Sequence, residues 1–137
     1  MADSIAVQKF KGGYNCGQSV MFNYIDRTGL PADFALRIAT GFGAGMGRKQ
    51  EVCGAISGGI LVINCLYGRG EGEDKSRQET AYAKVRQLID RFSAESGTIN
   101  CKKLLDGCDL LTDDGRKRFN DERMIETCHS CVDRVVK

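Results

Sequence analysis

The most apolar run of the sequence lies between Glu51 and Arg69, and no residue inside it is charged. A helix that is apolar on all sides is stable when the rest of the protein surrounds it. Glycines interrupt the run, and a membrane-spanning helix needs about 20 predominantly apolar residues. We therefore predict a buried central helix over about residues 52–67 and no membrane insertion. The β-branched segment 60–63 also suits a strand, but no partner strand is evident.

Capping and turn residues divide the remaining sequence into helices. Asn15 and Gln18 suit a capping box, Pro31 suits the first position of a helix, and Asn100 suits the cap of a short one. The predicted fold class is therefore all-α, a compact single-domain bundle of six or seven helices over residues 1–137. The predicted helices cover about residues 4–10, 15–28, 32–39, 52–67, 75–96, 100–105 and 121–136.

Helical spacing also predicts which side chains face the core. Apolar residues that recur three and four positions apart lie on one face of a helix. The clearest such stripe follows the long helix predicted over residues 75–96. Inward-facing residues are expected on three helices, those predicted over residues 32–39, 75–96 and 121–136. They are Phe34, Ile38, Tyr82, Val85, Leu88, Ile89, Phe92, Met124, Ile125, Cys128, Val132 and Val135.

Length and charge argue against several classes of function. The chain has 137 residues, which suits one domain, and its 20 basic and 18 acidic residues leave a net charge of +2. That balance gives no electrostatic reason to expect binding to nucleic acid or to a membrane surface. The N-terminus lacks a basic stretch followed by an apolar core, so we expect no signal peptide and a cytoplasmic protein.

Seven cysteines are many for a chain of 137 residues. In a reducing compartment disulfides are rare, and cysteines serve metal binding or redox chemistry instead. Cys16 and Cys101 each follow a capping asparagine, and Cys53 lies near the start of the central helix. The N–H groups and dipole of a helix start stabilise a thiolate, so we expect the pKa of each of these thiols to be lowered. The three thiols meet at one point if the three helix starts converge.

The other cysteines differ in what they indicate. Cys128 and Cys131 form a single CxxC, which is half of a four-cysteine zinc site. His129 lies inside the pair, so the CxxCH motif of covalent haem attachment is absent. Cys65 lies within the apolar run and is expected to pack in the core. Cys108 follows an Asp-Gly pair, which suits an exposed turn or a packing position.

Glycine occupies every second position from Gly41 to Gly47, a pattern that a regular helix disfavours. The stretch lacks the Gly-Lys-Ser/Thr ending of a phosphate-binding loop. We therefore expect a loop that passes closely over a cysteine site. Gly43 and Gly45 in this loop, together with Gly54 at the start of the central helix, are the glycines expected to approach a bound cofactor.

Several segments together resemble the C_GCAxxG_C_C family of redox-active cysteine proteins. They are Asn15-Cys16, Gly41-Phe42-Gly43-Ala44-Gly45-Met46, Cys53-Gly54-Ala55-Ile56-Ser57-Gly58-Gly59, Tyr67-Gly68 and the stretch from Gly97 to Leu105. Cys128, four residues before Val132, resembles the final cysteine of the family. The resemblance covers nearly the whole chain. It implies a helical domain with four signature cysteines, which are Cys16, Cys53, Cys101 and Cys128.

The resemblance also implies a redox role. Distant relatives include haem-bearing split-Soret cytochromes, in which a similar region is associated with an iron–sulfur cluster. Haem does not carry over, because this sequence has no haem-attachment motif. The leading hypothesis is an electron carrier or oxidoreductase whose four signature cysteines bind an iron–sulfur cluster. The alternatives are a metal-free thiol–disulfide protein that uses the same cysteines and a non-catalytic zinc module.

Two further expectations concern the fourth cysteine and the partners. Cys131 is close enough in sequence to replace Cys128 as the fourth site residue. A redox role implies a redox partner protein, which the sequence does not identify. The extent of apolar helix is compatible with a homodimer.

Overall fold

The structure is a computed structural model that describes residues 4–136, and every regular element within that range is helical. Nine right-handed α-helices are present there, seven of them with seven or more residues, so the all-α class is confirmed. Residues 60–63 are helical, which excludes the strand alternative. The helices are α1 (Ile5–Lys11), α2 (Cys16–Asn23), α3 (Ile25–Thr28), α4 (Ala32–Ala39), α5 (Gly54–Tyr67), α6 (Ser76–Ser96), α7 (Cys101–Leu104), α8 (Asp113–Asp121) and α9 (Ile125–Val136).

The predicted caps of α2 and α7 are confirmed. The side chain of Asn15 accepts a hydrogen bond from the N–H of Gln18, whose own side chain accepts one from the N–H of Asn15. The side chain of Asn100 accepts a hydrogen bond at 2.9 Å from the N–H three residues later. Each cap therefore places a cysteine, Cys16 or Cys101, at the first position of its helix.

Helices α2 and α5 cross at the centre of the bundle, where glycines allow a close approach. A Cβ atom on Gly58 would lie 2.6 Å from the carbonyl oxygen of Gly17. Ile56 on α5 is fully buried, which confirms the predicted central helix. Helices α1 and α4 pack against α2, and α6 packs against α5. Helix α9 packs against α1, α2 and α5. The crossing brings the starts of α2 and α5 together, since Gly54 lies directly against the sulfur of Cys16.

The glycine-rich stretch forms a short 3-10 helix, Thr40–Phe42, and then a left-handed turn over residues 44–50. The N–H of Gly47 donates a hydrogen bond at 3.0 Å to the carbonyl of Gly43. A left-handed conformation costs an L-residue roughly 1–2 kcal/mol, so contacts elsewhere in the fold must stabilise this turn. Positive φ angles occur at Ala44, Gly45, Met46, Gly47, Arg48 and Gln50.

The predicted inward face of α4 is wrong. Phe34 is 51% exposed and Ile38 is 36% exposed. The buried residues of this helix are instead Ala35 and Ala39, which belong to the apolar cluster formed with α2 and α5. The small alanine side chains fit between closely packed helices, whereas the larger residues lie beside that contact.

The predicted stripe on α6 is buried at one end. Tyr82, near the start of the helix, is 51% exposed, so its predicted burial is wrong. The neighbouring Ala81 takes the buried position there. Towards the end of the helix, Leu88 and Ile89 pack against the main core and Phe92 is buried in it. The core thus covers the second half of α6 more completely than the first.

Helix α8 is absent from the helices predicted from the sequence, and the last helix begins at Ile125 and not at about residue 121 as predicted. Thr112 caps α8 by accepting a hydrogen bond at 2.9 Å from the N–H of Gly115. No residue of α8 is buried, so no apolar stripe marks this helix in the sequence. Arg123 has a φ angle of 53°, and this break separates α8 from α9, which begins at Ile125.

No helix within residues 4–136 is both long enough and apolar enough to cross a membrane. The central helix α5 has 14 residues, fewer than the roughly 20 that a bilayer requires. Residues 1–3 belong to the segment from which the absence of a signal peptide was predicted, and they lie outside the described residues.

Candidate functional site

Five of the seven cysteines line one cavity of about 330 Å³. The cavity lies where the starts of α2, α5 and α7 meet the side of α9, and most of its remaining wall is apolar, including Phe10 and Phe119. The structure therefore brings all four predicted site cysteines together and adds a fifth. They are Cys16, Cys53, Cys101, Cys128 and Cys131.

Four of these thiols interact with one another in all six pairs. In each pair among Cys16, Cys53, Cys101 and Cys128, the charge of one thiolate raises the pKa of the other. Such an effect requires charges that are close together in surroundings of low polarity. Cys131 differs, because it shares a side-chain hydrogen bond with Cys53. The geometry thus distinguishes a mutually interacting group of four thiols from a fifth thiol attached to one of them.

The thiols are spread around the wall of the cavity. No three His, Cys, Asp or Glu side chains in the described part of the chain are close enough together to hold a single metal ion. The cavity that they line has a volume of about 330 Å³, which is at the lower end of the range for ligand and cofactor pockets.

Burial holds the protons on the free thiols. Burial, followed by the charge of Cys53, raises the pKa of Cys16 from 9.0 to about 11. Burial, followed by the charges of Cys53 and Cys16, raises the pKa of Cys101 to about 12. The hydrogen bond with Cys131 raises the pKa of Cys53, and burial raises that of Cys128. The predicted lowering of the pKa at the helix starts is therefore wrong in its net direction.

The backbone donors expected at the helix starts are nevertheless present. The N–H of Ala44 donates a hydrogen bond to the sulfur of Cys16, and those of Ala55 and Ile56 donate to the sulfur of Cys53. Each bond lowers the pKa of its thiol, but burial and the neighbouring thiols have the larger effect. The same donors stabilise a thiolate once a metal has replaced its proton.

Backbone hydrogen bonds hold the start of α5 beside the start of α7. The N–H of Cys53 donates to the carbonyl of Ile99 at 2.7 Å, and the N–H of Cys101 donates to the carbonyl of Glu51 at 2.6 Å. These bonds accompany an isolated antiparallel bridge between the two segments. They fix the relative position of two site cysteines that are far apart in the sequence.

The three glycines expected near a cofactor have different surroundings. Gly54 lines the cavity, and a Cβ atom there would overlap the sulfur of Cys16. A Cβ atom on Gly45 would lie 2.7 Å from the Cβ of Cys101. Gly43 packs instead against the asparagine that caps α2, and a Cβ atom there would lie 2.6 Å from its Nδ2. Two of the glycines therefore adjoin site cysteines, and the third supports a cap.

Gln50 is a site residue that the sequence analysis missed. It is 3% exposed, its Nε2 donates to the carbonyl of Cys108 at 2.6 Å, and its Oε1 accepts from the N–H of Leu110 at 2.8 Å. Its side chain also hydrogen-bonds Cys101, which partly offsets the effect of burial on the pKa of that thiol. These partners lie more than 50 residues away in the sequence, so no local motif marks Gln50.

The remaining two cysteines lie outside the cavity. Cys65 is exposed in a groove between α5 and α6, so the predicted core packing is wrong. It lies near the end of α5, where the bundle covers one side of the helix. Cys108 is 1% exposed, and its thiol donates a hydrogen bond to the carbonyl of Gly115 at 3.0 Å. Of the two interpretations of Cys108, the packing position is the one found.

A comparison with protein families found one match that covers most of the chain. The family described as "putative redox-active protein (C_GCAxxG_C_C)" matches residues 14–137. The chain belongs to this family. The range matched by the C_GCAxxG_C_C family includes all five cysteines that line the cavity. Searches of curated proteins and of solved structures found no significant match.

Proposed function

We propose that the protein transfers electrons by means of an iron–sulfur cluster held by Cys16, Cys53, Cys101 and Cys128. The observation that carries this proposal is the mutual interaction of the four thiols around one cavity. Four cysteine thiolates are the usual ligands of iron–sulfur clusters. When bound, such a cluster supplies a centre that accepts and releases one electron at a time.

The surroundings of the thiols fit such a group. The cavity is mostly apolar, and its volume of about 330 Å³ has room for more than one metal ion. The N–H donors of Ala44, Ala55 and Ile56 point at ligand sulfurs, where they offset negative charge. Release of the thiol protons opposes binding, so metal binding is expected to strengthen as the pH rises.

The hydrogen bond between Cys53 and Cys131 favours a second function, thiol–disulfide exchange without a metal. These two thiols can form a disulfide when a peroxide or a disulfide accepts the two electrons and two protons that they release. The raised pKa of Cys53 opposes this reaction, because the thiolate is the attacking species. We therefore place it second to the cluster.

Anaerobic metal analysis tests the proposal. The protein would be purified without air, supplied with iron and sulfide, and examined for bound iron, acid-labile sulfide and visible absorption. We expect iron and sulfide together, with absorption that is bleached by a chemical reductant. The variants Cys16→Ser, Cys53→Ser, Cys101→Ser and Cys128→Ser should each lose most of the bound iron. The variant Cys65→Ser is the matched control and should retain it.

Other results would assign a different function. Bound zinc in a colourless protein would identify a zinc module with the same thiols. Absence of metal, together with a disulfide between Cys53 and Cys131 after mild oxidation, would identify the thiol–disulfide function. Peptide mass mapping of the oxidised protein locates that disulfide.

A further inference from the structure

We propose that a basic surface beside the cysteine cavity is the docking site for an acidic face of a redox partner protein. This basic surface consists of Arg48, Lys49, Lys102 and Lys103. The redox role of the partner rests on the proposed function. The docking chemistry rests on these four side chains and on their position.

Backbone contacts bring the two pairs of cations together. The N–H of Lys102 donates a hydrogen bond at 3.2 Å to the carbonyl of Gln50, the residue that follows Lys49. One residue earlier on α7, the N–H of Cys101 donates a second backbone hydrogen bond, to the carbonyl of Glu51. The left-handed turn and the start of α7 therefore form one continuous surface.

The four cations are exposed, and within residues 4–136 none of them has a counter-ion. None of them forms an ion pair with another residue among residues 4–136, whereas cations on α4, α8 and α9 do. Glu51 is the one acidic residue in segments 44–51 and 100–105, so positive charge predominates. Like charges held close together repel one another, and an anionic partner relieves that repulsion.

The inner side of the same two segments forms a wall of the cysteine cavity. Ala44 and Cys101 line the cavity, and Gly45 packs against Cys101. A partner bound at the basic surface is therefore separated from the site thiols by about one polypeptide segment. Met46, which is 41% exposed on the turn, adds an apolar contact of the kind enriched at protein interfaces.

The composition of the surface favours a protein over a nucleic acid. Segments 44–51 and 100–105 contain no aromatic residue on which a base could stack. The whole chain carries a net charge of +2, far from the strongly basic balance of typical nucleic-acid-binding domains.

The test measures binding of a fluorescent polyglutamate peptide to the full-length protein at low ionic strength. The variant R48E/K49E/K102E/K103E removes the basic surface, and K75E/K84E/R86E/R91E has the same net charge but places its changes on and next to α6, which does not line the cavity. We expect the first variant to bind about tenfold more weakly than the control variant. Peptide-induced NMR shifts should concentrate in segments 44–51 and 100–105.

Equal weakening in the two variants, or NMR shifts centred elsewhere, would overturn the inference. Tighter binding of a single-stranded DNA of the same charge, lost in the first variant, would overturn it in favour of nucleic acid. If the fourfold variant fails to fold, K102Q/K103Q replaces it, with a smaller but measurable loss of binding expected. Failure of the iron–sulfur proposal would appear in the iron and sulfide content, which this binding experiment does not measure, so the two failures are distinguishable.

Discussion

Gly54 lies so close to the sulfur of Cys16 that a Cβ atom at position 54 would overlap it. The same Cβ atom would lie 2.5 Å from the carbonyl oxygen of Phe42. Gly54 begins α5 and Cys16 begins α2, so this contact joins the two helix starts at the cysteine cavity. A larger residue would have to push the two helices apart.

We therefore expect Gly54→Ala to destabilise the protein and to lower its capacity for iron. The added methyl group meets a sulfur and a backbone oxygen that cannot both move away, and overpacking of this kind costs roughly 1–3 kcal/mol in unfolding free energy. Denaturant unfolding and iron analysis measure the two effects. Gly41→Ala is the control, because a Cβ atom there meets nothing within 4 Å. Equal stability and iron content in the two variants would contradict the prediction.

Serine variants at Cys128 and Cys131 should differ in their effect on iron binding. Cys128 interacts with the three other thiols of the group, whereas Cys131 hydrogen-bonds to Cys53. We expect Cys128→Ser to lose most of the bound iron and Cys131→Ser to retain it. Cys131→Ala removes the hydrogen bond to the ligand sulfur and should therefore also lower the reduction potential. The opposite order of iron loss would make Cys131 the fourth ligand.

Without metal, the protein should lose stability at alkaline pH. The folded protein holds the pKa of Cys16 at about 11 and that of Cys101 at about 12, above the ordinary value of 9.0. Below pH 9.0 the folded and unfolded states both keep these protons, so the full stability is present. Between pH 9.0 and about 11 the unfolded chain releases protons that the folded protein retains, and stability falls.

The expected slope in this window is about 1.4 kcal/mol per pH unit for each thiol. Thermal unfolding of chelator-treated protein at a series of pH values measures it. The double variant Cys16→Ser/Cys101→Ser should show a shallower decline, because it lacks both thiols. A profile as steep in the double variant as in the unmodified protein would show that other groups cause the decline.

Gln50→Leu should destabilise the left-handed turn. The substitution keeps a buried side chain but leaves the carbonyl of Cys108 and the N–H of Leu110 without their partner. Loss of two buried hydrogen bonds costs about 2–4 kcal/mol in unfolding free energy. Gln87→Leu, on the exposed face of α6, is the control and should change stability little. A Gln50→Leu protein as stable as this control would show that the two hydrogen bonds contribute little.

Local chemistry in the sequence was sufficient to predict most of the helices. Caps at Asn15 and Asn100 and the uncharged run after Glu51 act within a few residues, and the structure contains the helices that they predict. Helix α8 was missed because none of its residues is fully buried and they leave no apolar stripe. Phe34 and Tyr82 were predicted to be buried but are exposed. An apolar side chain does not by itself determine which face of its helix the neighbouring helices cover.

The positions of cysteines at three helix starts follow from local sequence, because capping and helix initiation depend on neighbouring residues. Convergence of these starts with Cys128 on one cavity follows from the tertiary packing, since it depends on how closely α2 and α5 can cross. The tertiary packing also sets the direction of the pKa shifts. Burial, which no local pattern measures, outweighs the backbone donors at Cys16 and reverses the expectation drawn from its position at a helix start.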